Sequence, residues 1–471
     1  MKYKDIISTL NSIEENVPIG SIEFQGLKIW PIIRLELWKI LNSGFKYSTE
    51  NSAEKKSLIK SLLEKIKAYT GFIFYKLNPN KYEPADAVFL IARLERTVQV
   101  EGKYFSRFSN SLKEILESLG KRAVTLDLSS KKKPVWGETY FIDKEKIFSR
   151  KKKEDIKNWD VLEKYLNKNF PQIKLDKNLL VNIAEATLGY HKIFERILSK
   201  IKPKICFLEC YYHPTGWGYI LACRKLGIKT VEIQHGEQHG MYRGWSNVPK
   251  EGYQLMPHLW WCWGEESARE INRWSGKMHP EHKAFVGGNP WITRLASLNK
   301  KENTPKIKNK NIVVAIPNKD YPLEHLFEAV KKSSSSIQWL VSIHPMKMKD
   351  GNFMEKVRGE FEKTGNKNVW IQDDKISFYD FLIIADFLVT PWSTAVYEAL
   401  AFGTHPILIN GDNKEVFKHY VDKGHFSFAD TADKILEVIG KNKSEFNFKE
   451  ETPYIEADRE KMGVILKDLL K

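Results

Sequence analysis

Apolar residues fall into two textures along this chain. In the first 80 or so residues they recur mostly at helical spacing, whereas from Ala85 onward short apolar runs alternate with amphipathic stretches. The runs Ala87–Ile91 (AVFLI), Ala123–Leu128 (AVTLDL), Ile205–Leu208 (ICFL) and Thr230–Ile233 (TVEI) predict buried strands. Between them, Asn110–Leu119, Leu180–Leu198 and Gly218–Leu226, the last ended by Gly227, predict helices. This strand–helix–strand rhythm predicts a parallel sheet covered on both faces. The rhythm restarts after a polar linker, Asn299–Asn311. Its strands are expected at Ile312–Ile316, Trp339–Ile343, Val369–Ile371, Phe387–Val389 and Pro406–Ile409. Helices are expected at Glu324–Lys332, Asn352–Lys363, Ser377–Ala385 and Thr394–Phe402, and again at Thr431–Ile439 and Ile455–Leu470. The expected organisation is an α/β chain with a helical region over 1–84, a first Rossmann-like domain over 85–298 and a second over 299–471.

Two segments stand apart from this rhythm. In the N-terminal region, Leu27–Leu41 is apolar at near-continuous density and is broken by Pro31. Lys55–Lys76 places Leu58, Ile59, Leu62, Leu63 and Ile66 on one helical stripe, with Lys55, Lys56, Lys60, Lys65 and Lys67 largely off it. That pattern suits either a helix packed on the domain or one lying on anionic lipid. The lysine-rich stretch Lys131–Asn178 reads as an insertion or a mobile flank.

A length of 471 residues suits two domains, and 42% apolar residues supply the cores while excluding wholesale disorder. The net charge of +16 suggests an anionic partner. The lysines scatter over helices and linkers without a recognisable binding module, so nucleic acid is not the partner expected. Four cysteines, Cys206, Cys210, Cys223 and Cys262, form no CxxC pair, so no metal site is expected and reduced thiols are. No resident cofactor is expected either. The first residues carry Asp and Glu where a signal peptide needs an unbroken apolar stretch, and no uncharged run reaches spanning length. The expected location is the cytoplasm, with peripheral contact at an anionic inner membrane left open.

In open parallel sheets ligands bind beyond the carboxyl ends of the strands, so the residues after each run matter most. After ICFL come Glu209, Cys210, Tyr211, Tyr212 and His213; after TVEI come Gln234, His235, Gly236, Glu237, Gln238 and His239. The run ending at Ile343 is followed by His344, Pro345 and Lys347, and the run ending at Val389 by Ser393 and Thr394, which open a helix carrying Glu398. Hydroxyls and N–H groups at a helix start suit a phosphate, and Glu398 one turn inside suits ribose hydroxyls. His344 suits a phosphate oxygen, with Lys347 adding charge. His235 and Glu209 compete as the group that deprotonates a hydroxyl. Tyr212, His213, Gln234, Gly236, Glu237 and His239 are candidates for the acceptor side.

Gln-His-Gly after one strand, His-Pro after another and Ser-Thr-x-x-x-Glu-Ala opening a later helix resemble motifs of bacterial surface-polysaccharide transferases. That group includes capsule Kdo transferases, polysialyltransferases and teichoic-acid glycerophosphotransferases. The resemblance covers roughly Pro203 to Asn410 and implies a GT-B-like fold, a cytidine-nucleotide donor and a glycan or lipid-linked glycan acceptor. It implies His235 or a nearby acidic residue as base, His344 at the donor phosphate, and Ser393 and Thr394 at its phosphate end. The stretch Glu209–Trp217 matches no motif of the group. The expected activity is an inverting, metal-independent glycosyltransferase in capsule or lipopolysaccharide assembly using a nucleotide sugar, CMP-linked by resemblance. A nucleotide-sugar 2-epimerase of the same fold is the alternative, followed by a basic membrane-surface or nucleic-acid-binding protein.

Overall fold

The computed structural model describes residues 3–42, 82–91, 98–128, 134–142, 155–236, 244, 246–297, 311–318, 322–343, 351–372, 378–411, 414, 417–441, 445–446 and 458–471. The chain divides into two compact units, Met1–Pro290 with Asp458–Lys471, and Trp291–Ala457.

The first unit opens with the helix Tyr3–Asn16 and a hairpin of β1 (Glu23–Phe24) and β2 (Leu27–Lys28), turned at Gln25 and Gly26 with φ of 50° and 79°. The helix Trp30–Asn42 follows. Pro31 lies in the first turn of this helix, where a missing N–H leaves no bond unmade, so it starts the apolar helix rather than breaking it. Leu10, Ile13, Ile32, Ile33 and Leu37 are completely buried and belong to the same core cluster as the strands of the sheet. The apolar density of this segment is thus explained by burial all round within the first unit. The lysine-flanked stretch Lys55–Lys76 lies outside the described residues.

The sheet of this unit begins with β3 (Ala87–Ile91). A short antiparallel hairpin, β4 (Val98–Val100) and β5 (Lys103–Phe105), then leads into the helix Ser109–Ser118. The remaining strands are β6 (Ala123–Asp127), β7 (Thr139–Phe141), β8 (Ile205–Leu208), β9 (Lys229–Ile233), β10 (Leu259–Cys262) and β11 (Lys283–Val286). They form one parallel sheet ordered β11-β10-β9-β8-β3-β6-β7. Strand β7 and the helix Trp159–Asn169 lie in the stretch expected to be an insertion. Trp159, Leu162 and Leu166 are instead part of the core. Lys164 and Lys168 of that helix are exposed, on the outer face of an amphipathic element.

The stretch rich in Tyr, Trp and Gly has a packing explanation. Residues Pro214–Lys225 form a helix lying against Lys177–Ile201. A Cβ on Gly218 would come within 2.5 Å of Tyr190 Cβ and 2.7 Å of the Thr187 carbonyl oxygen. One on Gly216 would meet the carbonyls of Cys210 and Tyr211, each at 2.7 Å. These glycines let the helix sit directly on its neighbour and on the loop after β8. The C-terminal helix Arg459–Leu469 also belongs to this unit and packs on Ser109–Ser118.

The second unit carries β12 (Asn311–Ala315), β13 (Ile337–Val341), β14 (Val369–Ile371), β15 (Phe387–Thr390), β16 (His405–Leu408) and β17 (Ser427–Phe428). Their order is β14-β13-β12-β15-β16-β17, all parallel. In both sheets the first strand in sequence lies inside the sheet, and the chain later reverses direction beside it. The crevices of reversal, where such sheets bind ligands, fall between β3 and β8 and between β12 and β15.

Candidate functional site

Glu209 follows β8 at the crevice of the first sheet and is almost wholly buried. Its Oε1 accepts hydrogen bonds from the Ser106 hydroxyl, the Ser109 hydroxyl (2.6 Å) and the Ser109 backbone N–H (3.1 Å). The segment after β3 is therefore tied to the segment after β8 across the crevice, through the first turn of the helix Ser109–Ser118. Burial pushes the Glu209 carboxyl above the usual carboxylate range, opposed by the bonds from Ser106 and Ser109.

The next strand over, β9, pairs with β8 in parallel, Leu208 opposite Glu232. Gln234 is buried and spans the turn that follows. Its Nε2 donates to the Gly236 carbonyl (2.9 Å) and the Ser267 hydroxyl (3.1 Å), and its Oε1 accepts from the Trp263 backbone N–H (2.7 Å). Gln234 thus braces the turn against the end of β10 and the start of the helix Glu265–Met278. His235 is presented from that braced turn, half-buried, with Nε2 3.3 Å from the Tyr212 hydroxyl and Nδ1 3.9 Å from Glu232 Oε1.

Not every polar residue at this edge is presented in the same way. His213 caps the helix Pro214–Lys225, its Nδ1 accepting from the Gly216 N–H at 3.2 Å. This cap is a local role that its sequence position did not reveal. Tyr212 stays with His235, their ring centroids 6.2 Å apart. Glu237 and His239 lie outside the described residues.

On the second sheet, Ser393 and Thr394 come directly after β15 at the crevice, before the helix Ala395–Ala401. The Ser393 hydroxyl accepts from the Ala395 N–H at 3.2 Å. A hydroxyl that accepts in this way keeps its own proton to donate. Glu398 is buried one turn into the helix, with Oε1 accepting from the Tyr379 hydroxyl at 2.7 Å. Tyr379 packs edge-on against Trp291, ring centroids 5.6 Å apart. His344, Pro345 and Lys347 lie outside the described residues.

Solved structures share this architecture. A UDP-GlcNAc 2-epimerase of Neisseria meningitidis, bound to UDP-GlcNAc, matches with a TM-score of 0.52 at 14% identity, covering 82% of this chain and 99% of that one. A further UDP-N-acetylglucosamine 2-epimerase matches with a TM-score of 0.53 at 14% identity over 82% and 96% of the two chains. The S. aureus MnaA structure with UDP matches at 0.50, with 13% identity over 81% and 94%. The chain has a GT-B-like fold. No family model matches it. No curated protein matches it in sequence.

Within this GT-B-like frame the sequence reading overlooked Glu232. It is a carboxyl inside the apolar strand β9, almost wholly buried, three residues before His235. Trp260 and the Tyr211 backbone act to lower its carboxyl, yet burial outweighs them and raises it well above the usual range. The signal was present: an acidic residue in a four-residue apolar run is costly unless something beside it needs the charge. Strands β10 and β11 were also overlooked, because LWWC and KAFV lack the β-branched texture of the other runs.

Proposed function

We propose that this protein is a nucleotide-sugar enzyme, an inverting glycosyltransferase that builds a bacterial surface polysaccharide with a CMP-linked donor. The observation that carries the reading is His235, a half-exposed imidazole on a braced turn beside the crevice of the first sheet, flanked by a phenol and a buried carboxyl. In the proposed step, Nε2 of His235 takes the proton of an acceptor hydroxyl as its oxygen attacks the anomeric carbon. The bond from that carbon to the donor phosphate breaks, and its electron pair leaves on a phosphate oxygen. Ser393 and Thr394 at the helix start of the second sheet, with His344 and Lys347, are the groups this reading assigns to the donor phosphate. Glu209, with one oxygen already holding three donors, serves this reading as the brace of the crevice, and His235 as the base.

Epimerisation is the rival. The solved structures described above are UDP-bound or UDP-GlcNAc-bound proteins or epimerases, and an epimerase would process the nucleotide sugar with no acceptor. The excess of positive charge and the resemblance of the Gln-His-Gly, His-Pro and Ser-Thr motifs favour transfer to an anionic or lipid-linked glycan. A thermal-shift panel of CMP, CDP, UDP, GDP and dTDP tests the shared premise. A nucleotide present at a hundred times its Kd adds about 2.7 kcal/mol of stability. Cytidine nucleotides are expected to stabilise, and stabilisation by UDP alone would move the reading to the epimerase. No response to any nucleotide would overturn both.

A further inference from the structure

We propose that Glu232 is the positioning residue of His235, orienting its ring through Nδ1 and balancing the charge the ring gains when Nε2 takes a proton. This rests on the proposed role of His235 as base. Glu232 sits on β9 directly opposite Trp260 of β10 and is almost wholly buried. Its Oε1 makes no hydrogen bond among the described residues. That oxygen lies 3.9 Å from His235 Nδ1, longer than a hydrogen bond but within reach of a small ring adjustment. Contacts of this kind commonly tighten only when substrate binds. On the far side of the imidazole, the Tyr212 hydroxyl is 3.3 Å from Nε2, so the ring is held between a carboxyl and a phenol.

This placement explains a buried acid that core packing does not need. An apolar residue at position 232 would cost nothing in desolvation, whereas a carboxyl with one unbonded oxygen in the core is expensive. The titratable groups around it among the described residues are His235 in the turn after β9, Cys262 on β10, and Tyr211 and Tyr212 after β8, with Arg34 and Cys210 acting on Tyr211. On this proposal Glu232 and His235 titrate as a coupled pair.

The test is the titration of the His235 ring, followed by NMR of its Cε1 proton in the full-length protein and in Glu232→Gln, with His235→Asn to assign the signal. An opposite charge at this range raises an imidazole's midpoint by about one unit or more. Glu232→Gln is therefore expected to lower the midpoint by about that much and to cut kcat near neutral pH by about tenfold with KM little changed. An unmoved midpoint overturns the proposal. If Glu232→Gln does not fold, the parent curve decides: two inflections support a coupled pair, and one inflection near 6.5 overturns it. A shifted midpoint combined with full turnover in His235→Ala would keep the pair and reject His235 as base, which separates the two readings.

Discussion

Histidines stand at both ends of the strands of the first sheet, and the two ends hold them differently. At the amino end, His258 precedes β10 and its Nδ1 accepts from the backbone N–H of Thr230 (3.1 Å) and the Thr230 hydroxyl (2.9 Å). His282 precedes β11; its Nδ1–H donates to the Pro257 carbonyl (2.6 Å) while Nε2 faces the Arg224 guanidinium at 3.3 Å. Arg224 also donates to the carbonyls of Tyr253 and Met256. Burial, with Arg224 second, pushes His258 down to about 3 and His282 down to about 4. Both rings are neutral packing elements. At the carboxyl end, His235 is half-exposed and adjoins a carboxyl and a phenol. The same residue type thus joins strands at one edge and is the proposed base at the other, and the difference lies in the neighbours.

The largest expected effect separates the two ends. His235→Ala is expected to cut turnover by about 10² to 10⁴-fold while unfolding free energy stays within about 0.5 kcal/mol of the parent. Steady-state rates and urea melts on the same preparations check this. A matching loss of stability would make His235 one more packing histidine. Arg224→Ala should do the reverse, losing about 2–4 kcal/mol of stability as buried carbonyls lose their donor, with turnover per folded molecule intact.

Acid titration gives a smaller effect with opposite signs at the two ends. The folded chain holds His258 and His282 below their unfolded value of 6.5, so the unfolded chain binds more protons as pH falls. Their stabilisation is complete above about 6.5 and is lost progressively toward 4 and then 3, at up to about 1.4 kcal/mol per pH unit for each ring. Replacing His258 by Gln should flatten the acid limb of stability against pH. An unchanged limb would show that His258 is not held neutral. Glu232 behaves inversely, because burial raises its carboxyl. Its contribution is complete at acid pH and is lost as pH rises, so Glu232→Gln should gain stability on the parent as pH rises from 5 to 8. Denaturant melts at the two pH values measure the gap, and a constant gap would contradict a strained carboxyl.

Much of the fold was legible because the buried parallel strands were written as short apolar runs. AVFLI and ICFL match β3 and β8 residue for residue, and the helix Glu324–Lys332 falls where its periodicity put it. Aromatic runs were harder, since LWWC could as well be a loop or a helix face. Pro31 misled because a proline inside an apolar stretch reads as a break until the helix start is known. For the site, Glu209, His235 and Ser393 do stand just beyond the ends of β8, β9 and β15, positions that follow from chain order alone. What each one bonds to was not legible. Serines from the segment after β3 cap Glu209, and a tyrosine hydroxyl engages Glu398; both contacts join distant parts of the chain.

Release of nucleotide from a nucleotide sugar, measured with and without a glycan acceptor in the parent and in His235→Ala, tests the central claim most directly. The account predicts release that depends on acceptor, falls by about two orders of magnitude or more in His235→Ala, and leaves nucleotide affinity unchanged. Full release without acceptor, or an undiminished rate in His235→Ala, would contradict it.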